Sequence, residues 1–153
     1  MYRALLAAIP MMVSQTAAAA DAPAGVSRPD LAWQHWVLNC QGCHRTDGAG
    51  SPETAPPLVG LVAKFTNVTG GREYLARVPG VATSPLSDVE LAELLNWILW
   101  RFDRSHLQPT FRPFSAAEVG MLRSQPLRTE AAQTRARLMD KIDHAEKSDH
   151  AFH

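Results

Sequence analysis

The chain has 153 residues, 46% of them hydrophobic and 20% charged, with 15 Lys plus Arg balanced by 15 Asp plus Glu. That length fits one modest globular domain, and a formal charge of zero excludes the basic excess of a nucleic-acid binder. Eleven Pro, nine Gly and two Cys exclude a fibrous or low-complexity chain and a disulfide-rich scaffold.

At the N-terminus a single positive charge, Arg3, precedes an uncharged apolar run from Ala4 to Val13 and the small-residue stretch Thr16 to Ala20. This is the pattern of a secretory signal peptide, 1–20, with cleavage after Ala20 and Ala22 as the alternative point. The run is short for an uncleaved membrane anchor. Removing residues 1–20 takes Arg3 and no acid, leaving 133 residues with 14 basic against 15 acidic side chains. No other segment is apolar enough to span a bilayer, so export to the periplasm is expected.

Residues 21–27, rich in Ala, Pro and Gly, read as a linker. Pro29 and Asp30 suit the first turn of a helix carrying Leu31, Trp33, Trp36, Val37 and Leu38, which runs into Cys40. From Arg45 to Gly60 the chain is turn chemistry without period. Short helical segments are expected at Leu61 to Asn67 and at Gly71 to Val78, the latter ended by Pro79-Gly80. The clearest helix is Ser87 to Phe102, where Ser87 and Glu90 form a capping-box pair and Leu91, Leu94, Leu95, Ile98, Leu99 and Phe102 make one apolar stripe. Trp97 and Trp100 lie off its centre, widening the buried face or covering a bulky apolar object. A breaker-rich crossing, Gln108 to Pro113, leads to a short helix opened by Ser115 with Glu118 three residues on, and Pro126 separates it from a last helix over roughly Thr129 to Lys147. The fold class is all-α.

The run Cys40-Gln41-Gly42-Cys43-His44 is the attachment signature for c-type haem. Cysteines three apart at a helix end present both sulfurs on one side, for the two vinyl groups of one porphyrin, and the adjacent histidine falls beneath the ring as proximal iron ligand. A thioredoxin-like pair needs a βαβ neighbourhood, and a structural zinc site needs a second ligand pair at matching spacing. Neither is present in the sequence. One covalent haem c, through Cys40 and Cys43, uses both cysteines.

From roughly 28 to 102 the chain resembles a class I cytochrome c domain. The resemblance rests on Cys40 to His44, Gly48-Ala49-Gly50, Pro56-Pro57-Leu58-Val59-Gly60, the segment Gly71 to Val78, and Leu86-Ser87-Asp88-Val89-Glu90, in that order. It implies a helical domain around one haem over 28–102; residues 103–153 lie outside it and read as a helical extension and tail. It also implies that Pro56 offers its carbonyl to the far imidazole nitrogen of His44, fixing the ring. The family packs its first helix across its last, which gives Trp33, Trp36 and the Leu91 to Phe102 stripe a core role.

One departure matters for mechanism. Where the family places a methionine before a proline, this chain has Val78-Pro79, and no Met lies between Met12 and Met121. Valine has no lone pair for iron. The distal face is then open or water-occupied, or it takes a ligand from the extension, where His106, Met121, Met139, His144, His150 and His153 are available, or from Lys64 or an Asn. His106 and Met121 are the named candidates. The open-site reading expects a ferric spectrum without methionine-to-iron charge transfer.

The leading function is a periplasmic monohaem cytochrome passing one electron to or from a redox partner protein. It acts as a carrier or as the haem subunit of an oxidoreductase, with no nucleic-acid partner and no membrane span after signal cleavage. The alternative is a ligand-binding or peroxidase-like haem protein with an open distal site, for which Arg77 is the charged candidate. A weaker idea is metal capture by the tail from Asp143-His144 to His150 and His153. The stripe Leu127, Ala131, Leu138, Ile142 and Ala145 suits either a partner-binding helix or one packed on its own domain.

Overall fold

The computed structural model describes residues 23–52 and 55–150, without the side chains of 149 and 150. The predicted signal peptide and the terminal His153 lie outside the described residues. These hold seven α-helices: α1 (Pro29–Asn39), α2 (Gln41–His44), α3 (Gly71–Arg77), α4 (Pro79–Ala82), α5 (Asp88–Asp103), α6 (Ala116–Arg123) and α7 (Ala131–His150). Two 3₁₀ turns, Ala63–Asn67 and Arg104–His106, and one isolated bridge between Ser51 and Ala55 complete the regular structure. The all-α expectation holds.

Helix α5 is the spine. Ser87 accepts from the Glu90 amide while the Glu90 carboxylate accepts from the Ser87 amide, so the capping box forms as the spacing predicts. Its stripe is buried from Leu91 to Phe102 and packs on α1. At that contact the Trp36 and Phe102 ring centroids are 4.7 Å apart, and Trp97 meets Phe102 edge-on at 6.0 Å. Trp97 therefore widens the buried face.

One expectation for α1, the core role of Trp33, fails. Trp33 is 54% exposed and Leu38 79%, because the helix buries only the narrow face carrying Ala32 and Trp36. The segment from Gly71 does end before Pro79 as expected, with Val78 in an extended conformation, and Pro79 then opens the separate short helix α4, where its missing N–H costs nothing.

The helices after α5 pack back on the earlier ones. Asn96, 2% exposed within the apolar stripe, donates from Nδ2 to the carbonyls of Gly25 and Phe114, and its Oδ1 accepts from the Phe114 amide. One side chain thus joins the segment before α1, the spine and the chain entering α6. On α6, Glu118 receives two hydrogen bonds from Arg72, at 3.0 and 2.8 Å, and the Arg72 guanidinium stacks over Phe114 at 4.0 Å. Arg123 donates to the carbonyls of Ala82, Ser84 and Leu86. Helix α7 lies against α3 and the first 3₁₀ turn. Its Leu138 and Ile142, with Leu127 before it, form a second apolar cluster with Phe65 and Tyr74.

Candidate functional site

Helix α1 ends at Asn39, and a tight turn carries the chain straight into α2. The amides of Cys43 and His44 both donate to the Cys40 carbonyl, at 3.2 and 3.0 Å. The two thiols therefore share one helical turn with the imidazole. Cys40 is half-buried, Cys43 is exposed, and neither is in a disulfide. Burial, with the Cys43 thiol beside it, pushes the Cys40 thiol up to about 11, so it is protonated at neutral pH.

The His44 ring is oriented by the following loop. Its Nδ1 donates to the Pro56 carbonyl at 3.1 Å, leaving the Nε2 lone pair free. Burial lowers the imidazole pKa, opposed by that hydrogen bond, and the neutral ring is the form that ligates a metal. Trp36 flanks the ring, with centroids 6.2 Å apart.

The loop reaches this shape through glycine. Gly50 has φ +68, and a Cβ there would sit 2.4 Å from the Ala55 carbonyl oxygen and 2.7 Å from the Pro56 carbonyl carbon. A Cβ on Gly48 would meet the Phe102 ring at 2.6 Å. The Gly48 carbonyl accepts from Leu58 and the His44 carbonyl from Gly50, so the loop is closed onto α2 by its own backbone. Arg45, directly after His44, has φ 65 and ψ 166, a conformation costly for any residue with a Cβ. Nothing in the sequence signals that strain.

Two thiols and one imidazole with a free Nε2, within one turn, are the donor set that haem c takes. Among the described residues no group of three or more His, Cys, Asp or Glu is placed to hold a metal ion.

No protein-family profile matches the chain. It is similar to two cytochromes c-552 of Thermus thermophilus. Each is 37% identical over 106 residues, a match that covers 58% of this chain and 81% of one relative and 72% of the other. The chain belongs to the class I c-type cytochromes. Haem c is the cofactor of such a protein and electron transfer its chemistry.

In this cytochrome the remaining candidates are scattered. Met121, on α6, is 63% exposed. His106 Nδ1 lies 2.5 Å from the Asp103 carboxylate, whose other oxygen accepts from the Ala63 amide, and the His106 carbonyl is held by Asn67. Lys64 pairs with Glu146 at 2.6 Å, and His144 is exposed. Arg77 donates from Nε to the Gln125 carbonyl while its own carbonyl accepts from Leu127, so its described contacts anchor the extension.

Val78 caps α3 and packs against the cluster of Phe65, Tyr74 and Leu138. The sequence reading missed two features of this region. Arg135, on α7, lines a cleft of about 470 Å³ together with Ala49, Pro56 and Pro57, and Tyr74 is a buried phenol whose pKa burial raises and Arg135 lowers. A single Arg on a polar helix carries no sequence signal, whereas an aromatic on α3 could have been read as a pocket residue.

Proposed function

We propose that the chain is an exported monohaem cytochrome that moves one electron between redox partner proteins, with one haem attached through Cys40 and Cys43 and its iron bound by His44. The supporting observation is the His44 to Pro56 hydrogen bond, which leaves Nε2 directed away from its own loop and available to iron. The bound haem supplies a reversible Fe(III)/Fe(II) couple. The chain supplies the rest. Cys40 and Cys43 fix the ring's rotation, Pro56 fixes the imidazole, and Trp36 and Phe102 keep water from the interior beside it. Residues 28–102 form the haem domain and 103–153 a C-terminal extension, whose described helices pack on it. The signal segment 1–20 directs the chain to the periplasm, the compartment in which its redox partner resides. No described helix is long and apolar enough to cross a membrane.

The test is expression of the full chain in a bacterium with haem-attachment machinery. The expected product has lost residues 1–20, carries the mass of one haem after denaturation, and is reduced and reoxidised by one electron. Cys43→Ser is expected to leave a single thioether, seen as a shifted haemochrome band, and His44→Ala to alter the native haem spectrum through loss of the proximal imidazole. A product without covalent haem overturns the reading.

A further inference from the structure

Val78 cannot ligate iron, and the structure brings a thioether to the same region from elsewhere in the chain. Helix α7 is drawn along α3 by contacts at both ends: the Leu127 amide donates to the Arg77 carbonyl at 2.8 Å, and Lys141 donates to the Thr69 carbonyl at 3.1 Å. Between these ends, Met139 packs half-buried against the cluster of Phe65, Tyr74, Leu138 and Ile142, the cluster against which Val78 also packs.

The side of α7 on which Met139 lies is set by its neighbour. Arg135, one turn earlier and on the same face, lines the cleft with Pro56 and Pro57, the loop whose Pro56 carbonyl orients His44. Met139 follows Arg135 by one turn on that side of α7, packed against the Phe65 and Tyr74 cluster. Four of the other named donors, all among the described residues, are exposed or held elsewhere. Met121 is exposed, His106 is held by Asp103, Lys64 by Glu146, and His144 lies on the solvent side of α7. A thioether in an apolar wall is also the ligand type suited to a cytochrome iron.

We propose that Met139 is the second axial ligand of the haem iron, so that α7 replaces in space the ligand-bearing segment that Val78 and Pro79 no longer provide. The proposal rests on the haem and His44 reading above. It reverses the expectation of an open distal face: the ferric protein then shows methionine-to-iron charge transfer, and the ferrous protein does not bind carbon monoxide.

The experiment uses the full, haem-loaded chain and three variants, Met139→Leu, Met139→His and Met121→Leu. The wild type is expected to show the charge-transfer band and, in the ferrous proton NMR spectrum, a methionine methyl resonance shifted far upfield by the haem ring current. Met139→Leu keeps the apolar volume and is expected to lose both signals and to bind carbon monoxide, while its denatured haemochrome spectrum stays that of covalent haem. Met139→His is expected to remain low-spin without the band and to have a lower reduction potential. Met121→Leu is expected to match the wild type. A wild type lacking the band, or a Met139→Leu protein that keeps it, overturns the proposal. Absence of covalent haem from the wild type overturns the underlying reading instead, so the two failures are distinguishable.

Discussion

The loop that holds His44 and the wall formed by α7, whose Arg135 reaches the cleft beside Pro56 and Pro57, are assembled over different lengths of chain. His44 and Pro56 are twelve residues apart, and Gly48, Gly50 and Leu58 close the loop through backbone hydrogen bonds within that neighbourhood. The α7 wall joins Tyr74 and Phe65 to Leu138 and Ile142, and the Lys141 to Thr69 contact spans 72 residues. The first is therefore fixed by backbone conformation, which tolerates almost no change in residue type. The second is fixed by side-chain burial, which tolerates exchange among apolar residues but not their loss. A ligand-bearing segment can be moved to the second kind of wall without disturbing the first, because the two share few covalent neighbours.

The largest effect expected on this contrast comes from Gly50→Ala. The new Cβ overlaps backbone at Ala55 and Pro56, which cannot rotate away as a side chain would, in a residue already at positive φ. A loss of about 3 kcal/mol in unfolding free energy is expected from strain and displacement together. The His44 to Pro56 hydrogen bond should weaken with it, read as a shift of the imidazole proton resonance. Equal stability to wild type would show that the loop is not conformationally fixed. Next comes Leu138→Ala, for which burial loss predicts about 2 kcal/mol, near the low end for a core leucine because α7 has solvent along one side. Amide exchange should accelerate in α7 and not in 40–58. Uniform acceleration across both regions would mean that the two walls form one cooperative unit, and the contrast would collapse.

The same contrast explains what could be read from the sequence. Capping at Ser87 and Ser115 and the α5 stripe are local, and so is the order of residues from Cys40 to Pro56. Helix α1 misleads because its apolar residues surround it instead of forming a stripe, so Trp33 and Leu38 look like core until the single contact face with α5 is known. Asn96 is a polar interruption in an apolar stripe. Its purpose is visible only with its partners at Gly25 and Phe114, 71 and 18 residues away. Leu138 and Ile142 show helical spacing, but spacing does not name the surface they bury against. The position of Met139 depends entirely on that surface, and sequence alone could only name it among several donors.

The smallest effect expected separates burial from charge as the force holding α7 down. Lys64 Nζ lies 2.6 Å from Glu146 Oε1, an apparent clasp between the first 3₁₀ turn and the far end of α7. Both side chains remain partly in water, 21% and 45% exposed, so screening and the entropy of holding two long side chains offset most of the attraction. Glu146→Gln is expected to cost about 0.5 kcal/mol at low salt, with the difference from wild type vanishing as salt is added. Amide exchange in the α7 segment around Leu138 should be unchanged. If the substitution instead releases α7 as fully as Leu138→Ala, the wall is held by its charged end, and its tolerance for apolar exchange would no longer follow from burial.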